Sequence, residues 1–260
     1  MHAIQQQNDS LPLKVVFTGR VYPERSFTSI IIPGSKIILL DKGSGILGTL
    51  IVNIDFAQVT ASYFNATLPN LFDLKNSVDV VVRMHLDIYG YTKGWSLDLE
   101  ITQAYIVDTN ETVVFGINIP SLELRENQSF ENILPIFLDE RSDYLRRCFA
   151  DLRQAMKMPA DTGELCFRAI ETLRKFFIEK HNLDDTSKSD TKKSWELLRQ
   201  ELEVERQTID SIMPFAVDIR HGGTRPISGV ERDQIFAATW DIVDKFIAFA
   251  RNGYEPISRN

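Results

Sequence analysis

The chain has 260 residues, 43% hydrophobic and 25% charged, with a formal net charge of −7. This is the make-up of a globular protein with room for one large domain or two ordinary ones. It excludes a broadly basic nucleic-acid binder. No apolar run approaches the roughly 18–20 residues of a membrane span, so no membrane association is expected.

The opening MHAIQQQNDSLPLK has no basic segment followed by an apolar core, and no signal peptide is expected. Leu13, Val15, Phe17 and Val21 then alternate with polar neighbours as a strand does. SIIIPGSKIILL reads as two short strands around a Pro33-Gly34 turn, and Leu50, Val52, Ile54 and Phe56 alternate again. Gly43-Ser-Gly45-Ile-Leu-Gly48 has the look of a phosphate loop, but no lysine follows and a strand does, so a hairpin turn is expected.

The stretch LPNLFDLKNSVDVVVRMHLDIYGY carries two periods at once. Val78, Val80, Val82, Met84, Leu86 and Ile88 alternate, while Leu71, Leu74, Val78, Val81, His85 and Ile88 follow helical spacing. The valine run favours a strand. An N-cap at Thr67, a first-turn Pro69 and a C-cap at Gly90, with the length between them, tip residues 68–89 to a helix. Trp95, Leu97, Leu99, Ile101 and Tyr105 alternate as a strand, and a turn at Asp108–Asn110 leads into Val113, Phe115, Ile117 and Ile119 as its hairpin partner. His85 reads as a satisfied packing residue; Tyr89, Tyr91 and Trp95 read as core before ligand pocket.

After PSLELRENQSFENILP, expected to be a linker over about 121–136, the period becomes helical. Leu138, Leu145, Cys148, Phe149, Leu152 and Met156 form one stripe. Asp161 and Glu164 read as a capping box opening a second helix with Leu165, Ala169, Ile170, Leu173, Phe176 and Phe177 inward. A third helix is expected from Lys192 to Glu203, and a fourth carries Ile209, Ile212, Met213, Ala216 and Ile219. Ser228 and Glu231 form a second capping box before a last helix bearing Ile235, Phe236, Trp240, Val243, Phe246 and Ile247. The expectation is an α+β fold: a mostly antiparallel β-rich domain with one helix over residues 1–125, then a five-helix bundle over 137–253. Cys148 and Cys166 fall within helical patterns, as the reduced thiols of a cytoplasmic protein do. No metal site and no cofactor are expected.

The helical half resembles a known superfamily. ELCFRAIETLRKFF, SWELLRQELEV and IMPFAVDIRHGG, followed by a long closing helix, are similar to the HEPN superfamily of bacterial and archaeal helical domains over residues 140–252. The resemblance implies dimerisation through the bundle, which the aromatic content of the last helix also favours. It further implies either metal-independent ribonuclease activity or, in degenerate members, binding of nucleotides, RNA or protein partners in stress- or phage-defence systems. Nuclease members carry an arginine, then four to six residues, then a histidine, the arginine to hold the scissile phosphate and the histidine to move a proton. Here the positions at that spacing before His221-Gly222 are Pro214, Phe215 and Ala216, and no histidine lies at that spacing after Arg220, since His221 is the last in the chain.

The stretch AVDIRHGGTRPIS therefore has three readings. As a catalytic corner it uses His221 with Arg220 or Arg225. As an anion or nucleotide site it uses Arg220, Arg225, Gly222 and Gly223, beside the amides that open the last helix. As a helix stop it needs only a terminal histidine and the glycine pair. Glu164 and Glu171, seven apart on the second helix, read as a solvated face, and Arg146, Arg147, Arg153 and Lys157 as a salt-bridged one. The reading favoured overall is a degenerate, dimeric regulatory or binding protein, with the β-rich half sensing a ligand or partner.

Overall fold

The computed structural model describes residues 13–26, 28–30, 37–41, 45–65, 67–116, 119–123, 129–223 and 227–256. The chain is α+β and divides into two compact units, Met1–Ile117 and Asn118–Asn260, each with its own hydrophobic core.

The first unit contains β1 (Leu13–Tyr22), β2 (Ile37–Asp41), β3 (Gly45–Asp55), β4 (Gln58–Asn65), α1 (Leu71–Lys93), β5 (Asp98–Ile106) and β6 (Glu111–Val114). The strands form one antiparallel sheet in the order β2-β3-β4-β1-β5-β6. Val15, Phe17, Val21, Leu50, Val52 and Ile54 point into a core closed by Leu74, Val78, Val82 and Leu86 of α1. That four-residue spacing decides the ambiguous segment. A strand would bury Val80 and Met84 with Val78 and Val82, yet they are 45% and 49% exposed. The helix caps differ from those expected. Asn70, not Thr67, accepts from the amides of Phe72 and Asp73, and Gly94, not Gly90, takes the left-handed C-cap at φ 67°. Gly90 lies inside α1, where a Cβ would stand 2.6 Å from the Trp95 carbonyl oxygen.

Two irregularities interrupt the alternation. The β3–β4 hairpin turns on Phe56 and Ala57, with φ of 45° and 63°, a pairing that a type I′ turn requires at both central residues. The Ala57 amide donates to the Thr28 carbonyl at 2.9 Å, and its carbonyl accepts from Val21 at 2.8 Å, so tertiary bonds hold a turn usually given to Asn-Gly. Phe56 consequently sits at the exposed tip instead of beside Ile54. In β5 the register slips against Thr18 and Gly19, leaving Thr102 as an extra residue. Leu99 and Ile101 are buried before this bulge and Ala104 and Ile106 after it, which moves Tyr105 to the outside. Gly19 is needed there: a Cβ would lie 2.2 Å from the Glu100 carbonyl oxygen. The Pro33-Gly34 turn and the tip of the β2–β3 hairpin lie outside the described residues.

The second unit contains α2 (Pro120–Glu123), α3 (Phe130–Phe137), α4 (Asp143–Lys157), α5 (Thr162–Lys180), α6 (Lys188–Glu201), α7 (Arg206–Arg220) and α8 (Gly229–Arg251). The five expected helices are α4 to α8. The segment 121–136, expected to be a linker, instead carries α2 and α3, and the boundary falls before residue 120. Ser121 donates from its amide to Asp233 and from its hydroxyl to the Asp233 carbonyl, tying α2 to α8. Leu138 does not begin the α4 stripe. It caps α3, 76% exposed, and a tight turn over Glu140–Ser142 separates the two helices. The buried seam of α4 is Leu145, Cys148, Leu152 and Ala155, with Met156 outside it. α6 begins four residues earlier than expected, where Ser187 accepts from Asp190.

α5 is the central helix. Leu165, Cys166, Phe167, Ala169, Ile170, Leu173, Phe176 and Phe177 bury it nearly all round, and it touches α4, α6, α7 and α8. Its crossing with α7 is close because Gly163 faces Phe215, where a Cβ would lie 2.4 Å from the Phe215 Cβ. The aromatic residues of α8 on which dimerisation was expected to draw, Phe236, Phe246 and Phe249, are each 1% exposed within this core.

Candidate functional site

The stretch singled out in the sequence forms the end of α7 and the approach to α8. Gly222, at φ 77°, donates to the Ile219 carbonyl at 2.9 Å, and Gly223 donates to the Asp218 carbonyl at 2.8 Å. This is the double hydrogen bond of a Schellman stop, with His221 as the C-cap residue. Both glycine amides are engaged inside the helix end, so neither points at a bound anion. Gly223 is held tightly: a Cβ there would lie 2.3 Å from the Asp218 carboxylate. Arg225 lies outside the described residues. Ser228 and Glu231 form the expected reciprocal capping box at the start of α8.

Arg220 leaves this turn and crosses to α5. Its Nε donates to Glu164 at 2.8 Å, its two terminal nitrogens donate to Glu171 at 2.5 and 3.4 Å, and its guanidinium stands 5.3 Å above the Phe167 ring. The hydrogen bond to Glu171, and then that to Glu164, push the Arg220 pKa further up and hold the guanidinium charged. Glu164, Phe167 and Glu171 lie at i, i+3 and i+7 on one face of α5, and the glycine at the α5–α7 crossing brings Arg220 within reach of all three. Glu164 therefore serves Arg220 and not a capping box, and Asp161 makes no side-chain cap. Arg168, between the two glutamates, turns away to Asp151 of α4, donating to one oxygen at 2.6 and 3.1 Å.

This geometry separates the two residues that a catalytic corner needs together. The Arg220 fork is filled by carboxylates, while the exposed His221 imidazole has no hydrogen-bond partner among the described residues. A phosphate at Arg220 would have to displace two carboxylates held in bidentate and single contacts. The other residues weighed from sequence have ordinary roles. His85 Nδ1 meets the Val81 carbonyl at 2.7 Å, Arg146 pairs with Asp143, Tyr89 meets Trp95 edge-on, and Tyr91 is 91% exposed. Cys148 and Cys166 are buried free thiols; burial pushes both up, Cys166 to about 12. Among the described residues no group of three or more His, Cys, Asp and Glu side chains is placed to hold a metal ion. No described helix is long and apolar enough to cross a membrane.

Two features carried no sequence signal. Arg232, in the first turn of α8, donates to Thr162 Oγ1 at 2.9 Å and to the Ala155 and Met156 carbonyls at 3.2 and 2.7 Å, closing the C-terminal end of α4. The second is a cavity of about 680 Å³ between the start of α4, the last turns of α5 and the chain just past α8. Tyr144, Phe176 and Tyr254 supply its aromatic wall, Glu140, Asp143, Glu179 and Glu255 its carboxylates, and Arg141 and Lys180 its cations. It exists because Gly253 and Tyr254, at φ 73° and 65°, fold the chain back over α5. Tyr254 then stacks on Phe176 with ring centres 4.9 Å apart.

Comparison with known families gives two matches. Residues 15–115 match the N-terminal domain, and residues 130–251 the C-terminal domain, of a domain of unknown function, DUF8168. No curated protein and no solved structure matches the chain. The two matches fall in order, one in each compact unit, and jointly span most of the sequence; the chain belongs to the DUF8168 family.

Proposed function

We propose that the second unit is a degenerate HEPN-like module that binds without turnover, in a dimeric regulatory protein of a stress- or phage-defence type system. The observation that carries the non-catalytic part is the closure of Arg220 between Glu164 and Glu171. Metal-independent RNA cleavage needs a cation free to hold the scissile phosphate beside a histidine that moves a proton. Here the arginine next to His221 is matched by two carboxylates, and the spacing that marks the nuclease members is missing.

Pairing of two copies draws support from α3, whose outer residues Phe130, Leu134 and Leu138 are 71%, 41% and 76% exposed at four-residue intervals. A helix apolar on both faces is usually covered on both. The β-rich unit is assigned the sensing of a ligand or partner, on the division of the chain into two separately cored units.

The test is incubation of the purified full chain with single-stranded and structured RNA in the presence of a chelator. The proposal expects intact RNA from both the parent and His221→Ala. Cleavage to cyclic-phosphate ends by the parent, lost in His221→Ala, would overturn it in favour of a ribonuclease. Light scattering is expected to give twice the chain mass; a strict monomer removes the dimer from the proposal.

A further inference from the structure

The outer face of α4 changes sign along its length. Arg146, Ala150, Arg153 and Lys157 stand at i, i+4, i+7 and i+11, one line on the solvent side of the helix. Asp143 opens that line one turn before Arg146, and the exposed Glu140 lies just ahead of it. Asp151 does not balance the cations, because it is 3% exposed and turned inward to Arg168. Asp143 and Arg146 meet at 2.7 Å in a surface pair, a contact worth little by itself. The exposed side chains of Arg147 and Arg153 make no hydrogen bond or ion pair among the described residues. The face is therefore acidic at its start and basic at its end, about 21 Å away.

An apolar strip borders this line. Phe137 of α3 packs on Phe149 of α4 with ring centres 4.9 Å apart, so α3 lies on the flank of α4 that carries Phe149. Met156, two turns on from Phe149, is exposed on the same flank. Leu134 and Leu138 of α3 are exposed as well, and the turn over Glu140–Ser142 joins Leu138 directly to Asp143.

A second copy of the chain satisfies both features. Two α4 helices approaching antiparallel, about a two-fold axis between Arg146 and Ala150, set Asp143 against Arg153 of the partner subunit. Lys157 then meets Glu140 of the partner subunit, and Arg146 lies over the small Ala150 of the partner subunit. Each contact occurs twice, as an isologous interface requires. A parallel approach would set Arg153 against its own counterpart. A phosphate polymer laid along the same line would meet Glu140 and Asp143 at its start, on a chain whose net charge is −7.

We propose that two copies pair through α3 and α4, with the α4 helices antiparallel, Asp143 of each facing Arg153 of the partner subunit, and Leu134 and Leu138 closing the apolar flank. The inference rests on the reading of the protein as a dimer; it adds which surface pairs and in which direction.

The test is light scattering of the full chain over a dilution series, for the parent, Asp143→Arg, Arg153→Asp, the double substitution that exchanges the two charges, and Leu138→Ser. The parent is expected to give twice the chain mass. Each single substitution is expected to weaken the dimer about tenfold or more, because it sets like charges together or removes apolar contact. The charge exchange is expected to return the dimer to within about threefold of the parent. All three positions are exposed in the single chain, so melting temperatures under dilute conditions should stay within about 3 °C of the parent. A parent that is a strict monomer would overturn this inference and the dimer together. A parent dimer that any of the single substitutions leaves unchanged, or one that the charge exchange does not restore, would overturn this inference alone and assign the pairing to another surface.

Discussion

Replacing Gly163 with alanine sets two known effects against each other at the crossing that aims Arg220. Alanine is the better helix residue by about 0.5–1 kcal/mol, and on that ground alone Gly163→Ala stabilises. The added Cβ, however, falls 2.4 Å from Phe215 Cβ and 3.3 Å from its carbonyl carbon. These atoms belong to the backbone or adjoin it and cannot rotate away. Carbon atoms pack at about 3.5–4.0 Å, so α5 and α7 must separate by roughly 1 Å. Overpacking of this kind costs about 1–3 kcal/mol, which outweighs the helix gain and leaves a net loss of about 1–2 kcal/mol. For a unit of this size the loss lowers Tm by roughly 3–6 °C. The shift also draws Arg220 from Glu164 and Glu171, so Arg220→Ala should cost less in Gly163→Ala than in the parent. Thermal melts of the four proteins read both effects. A Gly163→Ala variant as stable as the parent or more so would refute the reasoning, because helix propensity would then have prevailed.

Three other outcomes are expected. Arg220→Ala alone should lower stability by about 1–2 kcal/mol: an exposed ion pair gives at most about 1 kcal/mol, and this one joins two carboxylates across partly screened contacts. The loss should shrink in 1 M salt, where the screening length is about 3 Å, and a salt-independent loss would point to packing. Gly19→Ala should destabilise the first unit by about 1–3 kcal/mol or more in urea titrations, because its Cβ meets the Glu100 carbonyl oxygen and Ile101 Cα. Cys148 and Cys166 should resist iodoacetamide in the folded chain at pH 8 and both react in denaturant. Burial raises their folded pKa, so the folded chain keeps protons that the unfolded chain releases above about 8.5. Their contribution is fully present below that pH and falls as pH rises toward the folded values. Rapid labelling of the native protein would show that one of the thiols is not buried.

The helical unit was the more legible of the two because a buried face repeats over four or five turns, and single errors do not shift it. Its errors came at breaks that no period reports. Leu138 matches the spacing of Leu145, yet Asp139 and Ser142 turn the chain between them through their own side-chain bonds. In the sheet a single extra residue reverses the facing of everything after it, which is how the Thr102 bulge took Tyr105 out of the core. The Phe56-Ala57 turn carried no turn residue to mark it, since bonds to Thr28 and Val21 do the holding. Glu164, Glu171 and Arg220 were each visible in the sequence, the glutamates even as one face. Their meeting was not, because it depends on how closely α7 crosses α5 at Gly163. The cavity depends in the same way on a chain reversal at Gly253 and Tyr254 that follows no periodic element.

The central claim is that Arg220 belongs to Glu171 and Glu164 and not to a phosphate. A double-mutant cycle between Arg220→Ala and Glu171→Gln, read by urea unfolding of the full chain, tests it most directly. The account predicts a coupling of about 1 kcal/mol between the two residues, and RNA affinity that Arg220→Ala leaves unchanged. Additive stability effects, together with RNA binding abolished by Arg220→Ala, would contradict it.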